Sequence, residues 1–259
     1  MSDTLNIENL FVNYSTDKGK LHALRNININ IPTNSVVGII GESGCGKSTI
    51  VSSIMNLMPE NAKIENGSIK LNNNLILDLK QNERKKILGN KISVIFQDPM
   101  TCLNPVMSIG KQMILSQHHK KIPKSEKIKH SLEMLNFVGI PDFESRFNDL
   151  PHKFSGGMRQ RIMIAMAIQS NPELLIADEP TTALDVTTEV QIINLLKNLK
   201  NKIRCSILFI THNLNLLSDF CDYIIIMYAG IIVEKGTTKN IFSNPQHPYT
   251  KKLFNCDPS

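Results

Sequence analysis

Alternating and continuous apolar stretches divide the chain into predicted strands and helices. Residues 5–10 and 27–31 alternate apolar and polar side chains with a period of two, which predicts half-buried strands of an antiparallel sheet. Residues 35–40 instead form a continuous apolar run, as expected of a strand that is buried on both faces. The chain therefore opens with a predicted antiparallel β region, and a core strand follows it.

The same two patterns predict the remaining elements. Residues 91–96, 174–177 and 206–210 are short apolar runs typical of buried strands, and residues 48–57 and 187–199 have helical periodicity. Further strands are predicted at 67–71, 223–227 and 231–234, and residues 72–74 predict a hairpin turn. From residue 97 to about 169 the pattern is mostly helical and more polar. Because strands that alternate with helices form mostly parallel sheets, we predict an α/β fold with an inserted helical region.

A glycine-rich turn follows the core strand and opens a helix. Residues 41–48 read GESGCGKS and match G-x-x-x-x-G-K-S/T in the strand–turn–helix context that this phosphate-binding motif requires. Glycines let the backbone N–H groups turn inward towards phosphate oxygens, and the helix N-terminus adds a positive dipole. Lys47 supplies a full charge to the β- and γ-phosphates, and Ser48 offers a hydroxyl to Mg²⁺. The sequence therefore predicts a P-loop NTPase.

Two acids end a predicted strand further along the chain. Residues 174–177 deliver Asp178 and Glu179 at the carboxyl end of the strand, where ligands bind in open α/β sheets. We expect Asp178 to hold the Mg²⁺ shell and Glu179 to orient or deprotonate the attacking water. An acidic strand end without function is the alternative, and the phosphate loop in the same chain argues against it.

A third motif identifies the chain as resembling ABC ATPases. Residues 154–160 read FSGGMRQ, which resembles the signature sequence of that family and precedes Asp178 in the chain as it does there. Ser155 and two glycines at a helix start also make a second anion-binding nest. Gln97 then resembles the Q-loop glutamine, and residues 183–185 resemble the D-loop. His212 resembles the switch histidine that contacts the γ-phosphate.

This resemblance implies a set of site residues and two ligands, ATP and Mg²⁺. Tyr14 resembles the aromatic residue that stacks on adenine. The expected catalytic residues are Glu179, His212 and Gln97, and the expected metal ligands are Ser48, Gln97 and Asp178. The expected nucleotide-binding residues are Tyr14, Gly41, Glu42, Ser43, Gly44, Cys45, Gly46, Lys47, Ser48, Thr49, Ser155, Gly156 and Gly157.

In the family, the serine and glycines of the signature close over the ATP of the opposite subunit. The resemblance therefore also implies a single ABC ATPase domain over 1–259 that works as a dimer. Its nucleotide-binding core would comprise residues 1–97 and 169–259, and its helical subdomain would comprise 98–168. Within that subdomain, residues 99–111 would dock on the membrane subunits.

Four longer segments resemble one branch of the family, the ATPases of bacterial dipeptide, oligopeptide and nickel importers. They are residues 97–105, 154–161, 177–187 and 247–250. This closer resemblance implies two transmembrane permease subunits, a second related ATPase as a heterodimer partner, and an extracytoplasmic substrate-binding protein. It places the chain at the cytoplasmic face of the cytoplasmic membrane as a peripheral subunit. Peptides are the expected cargo, and nickel or another small solute is the alternative.

Composition and charge limit the other readings. No run of about 18 apolar residues occurs, so we expect any membrane association to depend on partners. The five cysteines form no C-x-x-C pair, which favours reduced thiols. A net charge of +6, with a lysine-rich stretch at 120–129, leaves open a non-transport ABC ATPase that acts on nucleic acid or ribosomes. We expect no nucleic-acid partner. A regulatory nucleotide-binding module without turnover is a further alternative, and Glu179 and His212 argue against it.

Overall fold

The computed structural model describes residues 2–182 and 184–256. Within it the chain divides into two compact units. The first unit comprises Met1–Arg84 and Cys205–Ser259, and the second comprises Lys85–Arg204. This division differs from the predicted subdomain at 98–168, which stays a prediction. The ends of the predicted 1–259 domain, residues 1 and 257–259, lie outside the described residues.

The first unit carries most of the strands. Its elements are β1 (Asp3–Thr16), β2 (Gly19–Pro32), β3 (Val36–Ile40), α1 (Lys47–Met55), β4 (Ala62–Leu71), β5 (Asn74–Leu75), β8 (Ser206–Ile210), α8 (Leu214–Phe220), β9 (Tyr223–Tyr228), β10 (Ile231–Thr237), α9 (Thr238–Ser243) and α10 (Pro248–Cys256). The second unit is mostly helical. Its elements are β6 (Ile92–Ile95), α3 (Pro99–Cys102), α4 (Ile109–Ser116), α5 (Lys124–Phe137), a short 3₁₀ helix (Pro151–Lys153), α6 (Gly156–Ile168), β7 (Leu174–Asp178) and α7 (Val186–Ile203). Helix α2 (Gln81–Ile87) spans the division.

An antiparallel sheet in the order β2-β1-β4-β5 opens the first unit and confirms the predicted N-terminal β region. The predicted strands at 5–10 and 27–31 are the central parts of two longer strands, each of 14 residues. The β1–β2 ladder contains register shifts, and Asn9 has a φ of 48°. Such irregularities interrupt the period of two, which is why the pattern predicted only part of each strand. Asn72 and Asn73 take positive φ and form the predicted hairpin turn.

The core strands are mostly parallel, as predicted. In the first unit β3 lies between β8 and β9 and is parallel to both, and β10 is antiparallel to β9. In the second unit β6 and β7 are parallel. Every residue of β3 and of β8 is buried, because these strands are covered on both faces.

Residues 97–169 are mostly helical, as the pattern predicted, and one lysine of the basic stretch has a structural place there. Lys120 Nζ donates to the backbone oxygen of Gln169, the residue that ends α6, at 2.7 Å. A cation at a helix C-terminus is favoured by the helix dipole. Burial lowers the pKa of Lys120. This lysine therefore contributes to packing, in contrast to a freely exposed basic patch.

Candidate functional site

The phosphate loop joins β3 to α1 and directs its lysine inward. Lys47 is only 7% exposed, and its Nζ donates to the backbone oxygens of Gly41 at 2.7 Å and Glu42 at 3.1 Å. A buried ammonium needs such partners, because an unpaired buried charge is costly. The loop therefore holds its positive charge against its own backbone, where an anionic ligand can replace the carbonyl groups.

The shape of this loop depends on two glycines with positive φ. Gly44 has a φ of 79° and Gly46 a φ of 110°, which side chains other than glycine rarely adopt. Gly46 immediately precedes α1, so the free N–H groups of the first helical turn begin at Lys47. Backbone donors, helix dipole and lysine thus meet in one loop, which is the arrangement that binds phosphate.

Cys45 is a buried residue within the loop. Its side chain is 4% exposed, and burial raises the pKa of the thiol, so the neutral form is favoured. Its backbone oxygen accepts from the Gly230 N–H at 3.0 Å, in the turn between β9 and β10. The loop is therefore tied to the end of β9 through the backbone.

The structure brings Tyr14 to the helix that follows the loop. The Tyr14 hydroxyl lies 3.3 Å from Thr49 Oγ1, and the Tyr14 ring is half-buried near the end of β1. A half-buried, amphipathic aromatic ring suits a planar base. Its expected role in adenine stacking stays a prediction.

His212 lies at the same sheet edge as the loop. Strands β3 and β8 are parallel with Ile39 opposite Ile210, so the residues that follow both strands leave the sheet on one side. His212 is exposed there, two residues after β8. The first unit therefore collects the loop and the predicted switch histidine at one carboxyl edge, where ligands bind in α/β sheets.

In the second unit, strand register brings Gln97 to Glu179. Ile95 of β6 lies opposite Ala177 of β7, and each predicted site residue follows two positions later. Gln97 Nε2 donates to Glu179 Oε2 at 2.8 Å. The two residues were predicted to act at one site, and the parallel register explains how the fold makes them neighbours.

Two side chains from the singled-out segments 154–161 and 177–187, to which the sequence assigned no role at Glu179, also hold this segment. Thr182 Oγ1 donates to Glu179 Oε2 at 3.0 Å, and Gln160 Nε2 donates to the Pro180 backbone oxygen at 2.6 Å. Glu179 has a φ of 46°, a strained value for a residue with a side chain. The hydrogen bonds from Thr182 and Gln160 hold the segment in this strained conformation. No pattern in the sequence signals these contacts, since Gln160 is buried in the middle of α6.

The predicted metal ligands are chemically suited to Mg²⁺. Asp178 ends β7 and is half-buried, Gln97 follows β6, and Ser48 lies exposed in the first turn of α1. A carboxylate, an amide oxygen and a hydroxyl are the hard oxygen donors that Mg²⁺ prefers. Among the residues that the structure describes, no cluster of three or more His, Cys, Asp or Glu side chains could hold a metal alone. These donors therefore fit an ion that arrives with substrate phosphates.

The signature segment presents an open helix start. Ser155 is the N-cap of α6, and its hydroxyl accepts from the Met158 N–H at 3.3 Å. Ser155 and Gly156 are exposed, and a Cβ added at Gly156 would meet no atom within 4 Å. Nothing in the described part of the chain requires glycine there. Of the D-loop resemblance, Ala183 lies outside the described residues, and Asp185 caps α7.

Two family models match the chain. The model for "ABC transporter" matches residues 24–182, and the model for "Oligopeptide/dipeptide transporter, C-terminal region" matches residues 233–259. No helix among the described residues is both long enough and apolar enough to cross a membrane.

Curated relatives and solved structures agree with these matches. The dipeptide transport ATP-binding protein DppD of Lactococcus lactis is 48% identical over 98% of this chain and 74% of its own length. The oligopeptide transport ATP-binding protein OppD of Escherichia coli is 44% identical over 98% of this chain and 75% of its own length. A dimeric ATP-binding cassette in a post-hydrolysis state, bound to ADP and Pi, superposes with a TM-score of 0.80 at 30% identity, covering 90% of this chain and 98% of that one.

Proposed function

The chain belongs to the ABC transporter family of ATP-binding proteins, and from that premise we propose that it hydrolyses ATP to drive peptide import. The observation that carries ATP binding is the inward-facing Lys47 in a loop shaped by glycines. The observation that carries peptide transport is the match of residues 233–259 to the oligopeptide/dipeptide transporter region. The roles of the individual residues in binding and hydrolysis are part of this proposal.

ATP binds through the first unit. Its phosphates lie against the backbone N–H groups of residues 41–49, and the Lys47 ammonium exchanges its carbonyl partners for phosphate oxygens. Tyr14 stacks on the adenine, which its position beside Thr49 supports. His212 contacts the γ-phosphate from the carboxyl edge of the same sheet.

Mg²⁺ would be held by Ser48, Gln97 and Asp178 together with the phosphates. When bound, the ion neutralises charge on the transferred phosphoryl group. The chain itself contributes three oxygen donors: Asp178 at the end of β7, Gln97 after β6, and Ser48 in the first turn of α1.

Glu179 positions and deprotonates the attacking water. Its carboxylate accepts hydrogen bonds from Gln97 and Thr182, both to Oε2. Phosphoryl transfer needs mostly positioning and charge stabilisation, so a carboxylate fixed by two donors suits this role.

The signature segment 155–157 completes the site of a partner ATPase. Ser155 and Gly156 offer a helix N-terminus with open space above it, which fits a γ-phosphate presented by another subunit. ATP then acts as a bridge between subunits, and hydrolysis removes the bridge and lets the dimer open.

As an ABC transporter subunit, the chain works with membrane permease subunits and an ATPase partner. We propose two permeases and a second, related ATPase, with residues 99–111 as the docking segment. We also propose an extracytoplasmic binding protein that delivers peptides, and a position at the cytoplasmic face of the membrane. Val106 in the docking segment is 85% exposed, which suits a contact made only in the complex.

The test is peptide-stimulated ATP hydrolysis by the assembled transporter. The complex is purified through a tag on this chain and reconstituted in lipid vesicles with its binding protein. Dipeptides and oligopeptides are expected to accelerate ATP hydrolysis and to accumulate in the vesicles. A matched complex with Glu179→Gln should bind ATP but do neither.

Other outcomes separate the alternatives. Stimulation by a nickel chelate and by no peptide would keep the ATPase and overturn the peptide cargo. Recovery of ribosomes or nucleic acid without permeases would overturn the transport function.

A further inference from the structure

The C-terminal segment packs on the end of β9, next to the phosphate loop, and the proposed function gives it no role. Residues 247–250, His-Pro-Tyr-Thr, begin α10, the last helix of the first unit. Tyr249 lies in the first turn of this helix, and Thr250 is completely buried. A helix start that is fixed in this way can position a neighbouring segment of the unit.

The helix start is itself held firmly. Glu234 of β10 accepts from the backbone N–H groups of Gln246 at 2.8 Å and His247 at 3.0 Å. His247 Nδ1 accepts from the Tyr249 N–H at 3.1 Å, and Pro248 occupies the first helical position, which suits its fixed φ. These contacts satisfy backbone donors that a helix start leaves free, so the Tyr249 Cα has a defined position.

The Tyr249 side chain packs on the strand that adjoins the loop. Its ring lies on Tyr228, the last residue of β9, with centroids 4.6 Å apart. Its hydroxyl is buried and has no hydrogen-bond partner among the described residues. Burial raises the pKa of Tyr249, so the neutral phenol is favoured.

The end of β9 connects this contact to the functional lysine. Gly41 lies so close to the Met227 backbone oxygen that a Cβ there would clash with it, and the Gly41 oxygen accepts from Lys47 Nζ at 2.7 Å. Gly230, two residues after Tyr228, donates its N–H to the Cys45 oxygen at 3.0 Å. The contacts therefore run from α10 through Tyr228 and the end of β9 to the loop that holds the phosphate-binding ammonium.

We propose that Tyr249 is a positioning residue for the phosphate loop: by packing on Tyr228 it fixes the end of β9, and thereby the Gly41 carbonyl that holds Lys47. The C-terminal helix start is then part of the nucleotide site without touching the nucleotide. Loss of the Tyr249 ring should let the 41–46 loop populate other conformations. Because only a fraction of molecules would then be ready to bind, the apparent affinity for ATP should fall.

The test compares substitutions at two positions of the same helix. Tyr249→Leu removes the ring that packs on Tyr228 together with its hydroxyl, and Tyr249→Phe removes only the hydroxyl. Phe254→Leu is the matched control, since Phe254 stacks on Phe242 of α9 with centroids 4.9 Å apart, and it contacts a different part of the unit. ATP affinity is measured by titration of the full chain, and stability by thermal unfolding.

We expect Tyr249→Leu to raise the Kd for ATP by roughly three- to tenfold, in line with the worth of an aromatic pair. Tyr249→Phe should give a smaller increase. Phe254→Leu should lower the melting temperature comparably and leave the Kd within about twofold. An unchanged Kd in Tyr249→Leu, or an equal increase in Phe254→Leu, would overturn the proposal.

A second measurement does not depend on nucleotide and so separates this inference from the proposed function. Cys45 is buried inside the loop, and Cys205, 1% exposed, is an internal reference in the same unit. Mass spectrometry follows the alkylation of each thiol in the absence of ATP. Tyr249→Leu should accelerate labelling of Cys45 several-fold relative to Cys205, and Phe254→Leu should not. Equal rates of Cys45 labelling in wild type and Tyr249→Leu would contradict the proposed positioning role of Tyr249, even if ATP binding itself behaves as proposed.

Discussion

The two regions that carry the predicted site are built on different principles. In the phosphate loop of the first unit, backbone groups shape the site: positive-φ glycines, a helix N-terminus, and carbonyls that hold Lys47. In the carboxylate region of the second unit, side chains shape it: Gln97 and Thr182 hold Glu179, and Gln160 holds the following peptide. We expect the first region to determine affinity for ATP and the second to determine turnover.

The difference also explains which region a sequence reveals. A backbone-built site needs particular residue types at fixed spacing, because only glycine accepts the required φ. A site built from side-chain contacts depends on partners far apart in the chain, such as residues 97 and 179. Substitutions can therefore test whether changes in the phosphate loop alter affinity for ATP and changes in the carboxylate region alter turnover.

The largest expected effect is on turnover, in the carboxylate region. Glu179→Gln keeps the size of the side chain and an oxygen acceptor but removes the base. ATP hydrolysis by the assembled complex should fall by roughly 10²- to 10⁴-fold, the usual contribution of a general base. Steady-state phosphate release measures this effect. Near-normal turnover would remove Glu179 from the catalytic role.

The next effect is on affinity, in the phosphate loop. Lys47→Ala removes the ammonium that the loop carbonyls hold. The Kd for ATP should rise roughly 10- to 100-fold, as expected for a hydrogen bond to a charged group. Titration of the full chain with ATP measures the change, and Lys63→Ala, on the antiparallel sheet, serves as the control. Unchanged affinity in Lys47→Ala would contradict the loop's role.

A smaller effect tests the side-chain network itself. Thr182→Val keeps the shape of the side chain and removes the hydroxyl that donates to Glu179. We expect kcat to fall about tenfold, because the hydrogen bond from Thr182 to the carboxylate is lost, while KM stays within about twofold. Exposed Thr187→Val, at the start of α7, is the control. A rise in KM with unchanged kcat would place Thr182 in binding.

The smallest effect concerns the N-cap of α7. Asp185 Oδ1 accepts from the Thr188 N–H at 2.9 Å, and this backbone hydrogen bond, with that of the Thr188 hydroxyl, holds the Asp185 pKa below its usual value. The charged cap therefore stabilises the fold above the ordinary aspartate pKa, and this stabilisation is lost as pH falls through the lowered value. Asp185→Ala should lower the melting temperature by about 2–4 °C near neutral pH.

The pH dependence distinguishes the cap from a generic surface effect. The difference between wild type and Asp185→Ala should narrow only below about pH 4, near the usual aspartate pKa. Asp185→Asn retains a good cap and should remain close to wild type at neutral pH. Unfolding curves at several pH values measure both, and a difference that does not change with pH would contradict the charged-cap account.

Much of the fold could be predicted because it rests on local pattern. Continuous apolar runs located β3, β6, β7 and β8, and their alternation with helices indicated a parallel sheet. The pattern did not predict α8, α9 and α10, which are short helices. It also shortened β1 and β2, since register shifts break the period of two.

The candidate site divides in the same way. The loop at 41–48 could be predicted because its geometry follows from glycine positions. The contacts of Gln160, Thr182 and Tyr249 could not, because each depends on how distant segments pack. Tyr249 lay within the segment 247–250 that the family resemblance singled out, yet only the structure shows that it packs on Tyr228.

The most direct test of the separation between affinity and turnover is the Kd for ATP in four forms of the chain: wild type, Lys47→Ala, Glu179→Gln and the double variant. The backbone-built loop should determine affinity alone. The two forms with Lys47 should then bind ATP equally, and the two without it should be weakened by the same factor. If Glu179→Gln weakens ATP binding as much as Lys47→Ala does, the two regions do not divide binding from catalysis, and the account is wrong.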